Sequence, residues 1–215
     1  LADWKQMVED LRHPDKEVKI ALVGKYTALH DAYISVVEAL KHGGIPEHTT
    51  VDIKWVDSEE LNDDNAAEVF KGIQGIIVPG GFGDRGVEGM IAAAKYAREN
   101  NIPYLGLCLG MQVAIIEYAR HVCMFHDAHS IELDPQTTHP VIHLMPEQDG
   151  IEDIGGTLRL GAYPCVLDKD SKACKVYGTT EISERHRHRY EVNNDYRTAL
   201  VEHGMKPVSY THLRA

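Results

Sequence analysis

A chain of 215 residues with 43% hydrophobic content is long enough to bury the core of one α/β domain, and its formal net charge of −11 argues against nucleic acid as a partner, because a phosphate backbone is repelled. No apolar run approaches the roughly 20 residues that cross a bilayer, and residues 1–10 carry Asp3, Lys5, Glu9 and Asp10 where a secretory leader needs an unbroken apolar core. The four cysteines, Cys108, Cys123, Cys165 and Cys174, show neither C-x-x-C pairing nor the density of a disulfide scaffold, which fits a reducing cytoplasm.

Residues 1–15 read as a helix or as a linker entering from a preceding domain. Beyond them, apolar runs of strand length alternate with segments of helical period, the pattern of a parallel sheet with crossover helices. Residues 18–23 form a strand ending at Gly24, and 33–40 form a helix with Ile34, Val37 and Leu40 on one face, stopped at Gly43-Gly44. A second strand covers 51–56 and a short helix 63–71. The continuous apolar run 75–78 suits a strand buried on both faces, and Pro79-Gly80-Gly81 ends it. A helix over 87–99, a strand over 103–107 and a helix over 111–120 follow. From His121 onward the pattern weakens into loops containing Gly, Pro and His, with short β-like runs at 157–160 and 165–167. No repeat, low-complexity tract or flexible linker marks a boundary, so the sequence reads as one domain with a loop-rich second half.

Cys108 falls at the predicted strand-to-helix turn, inside Gly106-Leu107-Cys108-Leu109-Gly110. The G-x-C-x-G spacing is that of a nucleophile elbow, where flanking glycines permit a strained bend that pushes the central side chain out of the sheet. A helix N-terminus behind the sulfur stabilises both a thiolate and an oxyanion. Cys123, Cys165 and Cys174 lack that setting and read as structural. Pro79-Gly80-Gly81-Phe82-Gly83 is a second glycine-rich turn on a neighbouring strand, so the N–H groups of Gly81 and Leu109 are candidate oxyanion donors. A phosphate loop would share those glycines, but no lysine follows in P-loop fashion. The segment Arg185-His186-Arg187-His188-Arg189-Tyr190 gathers three arginines and two histidines within six residues, which suits an anion. As one extended strand it would place Arg185, Arg187 and Arg189 on one side. The histidines have no evident third ligand, and no metal is assigned.

Val23-Gly24-Lys25-Tyr26, Asp31-Ala32-Tyr33, 38–44, 79–86, the elbow and 185–194 together resemble the CTP synthase family. The resemblance runs from about residue 1 to residue 204. It implies the flavodoxin-like α/β fold of a class I glutamine amidotransferase, joined behind an amidoligase domain that uses ATP and Mg²⁺ to aminate UTP with ammonia from glutamine. By residue it implies Cys108 as nucleophile, Gly81 and Leu109 as oxyanion donors, and Gln112, Glu132 and Arg189, with Gly81 and Leu109, as the glutamine-binding set. It further implies activation by GTP, homotetramers at full length, a cytoplasmic location, no membrane partner and no cofactor held by this portion. The implied boundaries are a linker at 1–16, a glutaminase domain at 17–208 and a tail at 209–215 that departs from the family.

The family's general base lies in a His-Pro-Glu segment, which this sequence does not contain. His212 lacks the following Pro-Glu and is not taken as the base. The expectation is a C-terminally truncated domain that binds glutamine weakly and turns it over very slowly. Two other readings of the elbow are a stand-alone glutaminase or γ-glutamyl hydrolase, and a non-catalytic regulatory or interaction module with a vestigial cysteine.

Overall fold

The computed structural model describes residues 1–144 and 159–210. These divide into two compact units, 1–118 and 119–215 by chain position. Helix α1 (Ala2–Arg12), which has no buried residues, leads into the first unit.

The first unit is a four-stranded, all-parallel sheet in the order β2-β1-β3-β4, built from β1 (Lys16–Gly24), β2 (Thr49–Asp57), β3 (Gly75–Val78) and β4 (Tyr104–Gly106). Ile20, Ala21 and Leu22 of β1 lie opposite Gly75, Ile76 and Ile77 of β3, and Val78 lies opposite Gly106 of β4. On one face Leu22, Ile77 and Tyr33 pack with Ile20, Ile53, Trp55, Val36, Val37 and Leu40. The last three belong to α2 (Ile34–Gly44). Helix α4 (Val87–Glu99) packs on the strands with Met90, Ile91, Ala92, Ala93, Ala94 and Ala97 buried. Two covered faces explain why 75–78 is apolar at every position rather than at alternate ones.

Two predicted helix boundaries are corrected. The helix expected over 63–71 shrinks to α3 (Ala66–Val69), because Asn62 Oδ1 accepts from the amides of Asp64 and Asn65 and holds the preceding residues in a turn. The helix expected over 33–40 extends to Gly44, ending at the predicted Gly43-Gly44 stop, while its start moves to Ile34 behind a 3₁₀ turn, His30–Tyr33.

The second unit begins inside α5 (Leu109–His121). It contains the sheet β5-β6-β9, from β5 (His129–Ser130), β6 (Pro140–Leu144) and β9 (Tyr190–Val192), and the antiparallel sheet β10-β7-β8, from β7 (Arg159–Leu167), β8 (Glu181–His188) and β10 (Ser209–Tyr210). The β7–β8 connection carries α6 (Lys172–Tyr177), started by the Ser171 side chain accepting from the Cys174 amide and ended by Gly178 at φ 71°. Helix α7 (Arg197–Glu202) follows β9. The two β-like runs expected at 157–160 and 165–167 resolve as one strand, β7, because Gly161 and Pro164 interrupt its apolar pattern without ending it; residues 157 and 158 lie outside the described residues. Among the described residues no helix is long and apolar enough to cross a membrane.

Candidate active site

Strand β4 delivers the chain to Cys108 and α5 carries it away at the next residue, so the sulfur sits at the bend that the glycine spacing predicts. The bend is locked from behind, since the Leu107 amide donates to the Val78 carbonyl over 2.9 Å. Cys108 itself has φ 55°, in the left-handed region that side chains seldom enter and that costs of order 1 kcal/mol or more. Both flanking glycines are required sterically. A Cβ on Gly110 would lie 1.9 Å from the Val78 oxygen, and one on Gly106 would lie 2.4 Å from the carbonyl atoms of Gly110. Cys108 is half-buried, whereas Cys123 and Cys165 are buried; burial pushes the Cys123 thiol pKa up and keeps it protonated.

At the start of α5 the Gly110 amide donates to Leu107 O (2.9 Å), and the Met111 and Gln112 amides donate to Cys108 O (3.1 and 3.2 Å). The Leu109 amide makes no hydrogen bond among the described residues, and neither does that of Gly81. These two donors are neighbours across the site. A Cβ on Gly81 would lie 3.4 Å from Leu109 Cδ2, and one on Gly80 would lie 3.3 Å from Cys108 Cβ and 3.8 Å from Sγ. The glycine turn after β3 therefore lies against the elbow, with two unengaged N–H groups beside a thiol at the positive end of a helix.

Two side chains hold this arrangement that sequence reasoning assigned no role. Lys25, at the end of β1, is 3% exposed; its ammonium donates to the carbonyls of Phe82 (3.1 Å) and Gly83. Its own amide donates to the Tyr33 hydroxyl over 3.0 Å, and Arg85 returns a hydrogen bond to its carbonyl at 3.2 Å. The signal for Lys25 was its place in Val23-Gly24-Lys25-Tyr26, a segment noted only for its resemblance. Tyr104 donates its hydroxyl to the Gly110 carbonyl over 2.7 Å. Burial, with Glu117 nearby, pushes that phenol pKa far up, so it stays a donor at any working pH.

Gln112 lies on the first turn of α5 and is 6% exposed, so Cys108, Leu109, Gln112 and Gly81 are gathered in the first unit. Glu132 and Arg189 belong to the second. Glu132 is exposed in the turn after β5, where its amide donates to Ser130 Oγ at 3.3 Å. Arg189 corrects the expected alternation: it sits at the bend between β8 and β9, which pair in different sheets. Only Arg185 and Arg187 share the exposed side of β8, since a strand cannot change sheets without turning its side chains. His186 and His188 bring their Nδ1 atoms to 3.2 Å. Among the described residues no group of three or more His, Cys, Asp or Glu could hold a metal.

The model of the glutamine amidotransferase class-I family matches residues 28–213. The chain is 57% identical over 205 residues to a CTP synthase of Staphylococcus carnosus and 58% identical over 205 residues to one of Caldanaerobacter subterraneus, covering 95% of this chain and 38% of each relative. The chain thus spans well under half the length of these relatives. Among solved structures it is similar to the Trypanosoma brucei CTPS glutaminase domain with bound acivicin, with a TM-score of 0.84 and 43% identity over 91% of this chain and 75% of that one. An elbow cysteine at a β4–α5 bend, a glycine turn beside it and these similarities agree: the chain belongs to the class I glutamine amidotransferase family and is of the glutaminase-domain type found in CTP synthases.

Proposed function

We propose that this chain hydrolyses glutamine through Cys108 and that the ammonia is passed to an ATP- and Mg²⁺-dependent amination of UTP to CTP in a polypeptide of the relatives' length. The observation that supports this reading most is the pairing of a left-handed Cys108 with two unengaged amides at Gly81 and Leu109. The Cys108 thiolate adds to the carbon of the glutamine side-chain amide, forming a C–S bond while the carbonyl electron pair moves onto oxygen. That oxygen is received by the Gly81 and Leu109 N–H groups, each such donor being worth roughly 10²–10³ in turnover. Return of the electron pair breaks the C–N bond, and the nitrogen leaves as ammonia once protonated. Water then attacks the thioester, releasing glutamate and returning the thiol. Gln112, Glu132 and Arg189 stand at the positions that the resemblance assigns to the α-amino and α-carboxylate groups of glutamine, a carboxylate suiting the ammonium and an arginine the carboxylate. GTP activation and tetramer formation belong to the same proposal at full length.

The proton transfers need a base, and no His-Pro-Glu occurs among the 215 residues. Ammonia release from glutamine by this chain is therefore expected to fall far below the roughly 1–10³ per second of ordinary enzymes, to vanish in Cys108→Ala and to persist in Cys123→Ala. Release that is unchanged in Cys108→Ala contradicts the nucleophile assignment. Release at an ordinary enzymatic rate contradicts the dependence on that segment.

A further inference from the structure

Lys25 is a buried cation whose hydrogen-bonding partners include backbone oxygens of the very turn that faces the nucleophile. Taking an ammonium out of water is costly unless it is closely paired, and here its donors go to the carbonyls of Phe82 and Gly83. The stem of the same side chain lines Gly81: a Cβ on Gly81 would lie 3.6 Å from both Lys25 Cδ and Cε. The turn belongs to no helix or strand, since β3 ends at Val78 and α4 starts at Val87, so no ladder of backbone bonds sets the direction of the Gly81 amide. Lys25 is itself fixed at three points: by its place at the end of β1, by the Tyr33 hydroxyl that accepts from its amide, and by Arg85, which donates to its carbonyl. Arg85 also pairs with Glu59 and lies 5.7 Å from the Tyr26 ring centroid.

We infer that Lys25 is a positioning residue for glutamine hydrolysis, its buried ammonium clamping the carbonyl side of the 79–83 turn so that the opposite, N–H side of Gly81 faces the oxyanion formed at Cys108. This rests on the glutaminase reading above. The clamp contributes geometry rather than substrate affinity, because Lys25 bonds to backbone oxygens and the α-groups of glutamine are held by other residues.

The test uses the chloroketone analogue of glutamine, in which a chloromethyl ketone replaces the carboxamide. The Cys108 sulfur attacks the chloromethyl carbon, the C–S bond forms, the C–Cl bond breaks and chloride leaves, while the ketone oxygen occupies the oxyanion position. In Lys25→Met, which keeps the length of the stem and removes the charge, the maximal rate of Cys108 alkylation is expected to fall by at least about tenfold, as for partial loss of one oxyanion donor. The half-saturating concentration should move by less than about threefold, and reaction of Cys108 with methyl methanethiolsulfonate, which needs no oxyanion donor, by less than about twofold. If Lys25→Met melts below the assay temperature, Lys25→Gln, which keeps a neutral donor, carries the same comparison. An unchanged maximal rate overturns the inference while the glutaminase reading stands, and so does an equal fall with both reagents, which marks a general structural role. Failure of the unsubstituted chain to show Cys108-selective alkylation that glutamine blocks overturns the glutaminase reading, and the inference falls with it.

Discussion

At Cys108 the side chain is presented at the expense of backbone comfort. A residue with a Cβ is held at φ 55°, and the bend tolerates it because glycines on either side let β3 and α5 approach within van der Waals limits. The strain has a sign that can be read in stability measurements. At an ordinary strand or helix position glycine is less stable than alanine by about 0.5–1 kcal/mol. At position 108 the order should reverse: Cys108→Gly is expected to be more stable than Cys108→Ala by about 1 kcal/mol in urea denaturation, because only glycine relaxes in the left-handed region. The usual order at this position would mean that the elbow is not strained.

Among the elements, α4 and α5 are joined by a partly sheltered ion pair. Glu117, 2% exposed, receives Arg98 Nε at 3.0 and 3.1 Å and Nη2 at 2.7 Å. The Arg98 guanidinium pKa is raised chiefly by its hydrogen bond to Glu117. Removing the cation leaves a carboxylate in a dry setting, so Arg98→Met should cost about 2–4 kcal/mol, and the double change with Glu117→Leu should recover much of it. Equal losses in the single and double variants would argue against coupling.

In the second unit, Asp127 ties the entrance of β5 to that of β6. Its carboxylate accepts from the Thr138 hydroxyl (2.6 Å) and amide (2.7 Å) and pairs with His139. Those bonds, Thr138 first and His139 next, hold the Asp127 pKa well below the usual carboxylate range. A carboxyl depressed in the folded state stabilises fully above its unfolded value of about 3.9 and loses that contribution as pH falls toward the folded one. Thermal melts should therefore show a decline in stability below pH about 4 that is smaller in Asp127→Asn. An identical acid limb in both proteins would remove Asp127 from the account.

Across the whole molecule, legibility in the sequence followed how local the determining interactions are. The strands and helices of 18–120 were readable because a doubly covered sheet imposes uninterrupted apolar runs and its helices a regular face. The elbow was readable because its glycines are a steric requirement written within five consecutive residues, 106–110. The antiparallel pairing of β7 with β8 was not, since Gly161 and Pro164 break the apolar alternation and partners such as Tyr163 and Glu184 are brought together by register alone. Arg189 was misplaced on a continuous strand because nothing in Arg185-His186-Arg187-His188-Arg189 announces the change of sheet. Lys25 was overlooked as a support because its acceptors are backbone oxygens nearly 60 residues away, and no side-chain motif encodes them.

Glutamine hydrolysis by this chain depends on the reactivity of one sulfur, and site-resolved mass spectrometry of the purified chain under limiting chloroketone analogue measures it most directly. Cys108 is expected to be alkylated at least about 100-fold faster than Cys123, with glutamine slowing Cys108 alone, because Cys108 is a half-buried thiol beside a helix N-terminus and two unengaged amides whereas Cys123 is buried. Equal labelling of Cys108 and Cys123, or labelling of Cys108 that glutamine does not slow, would contradict it.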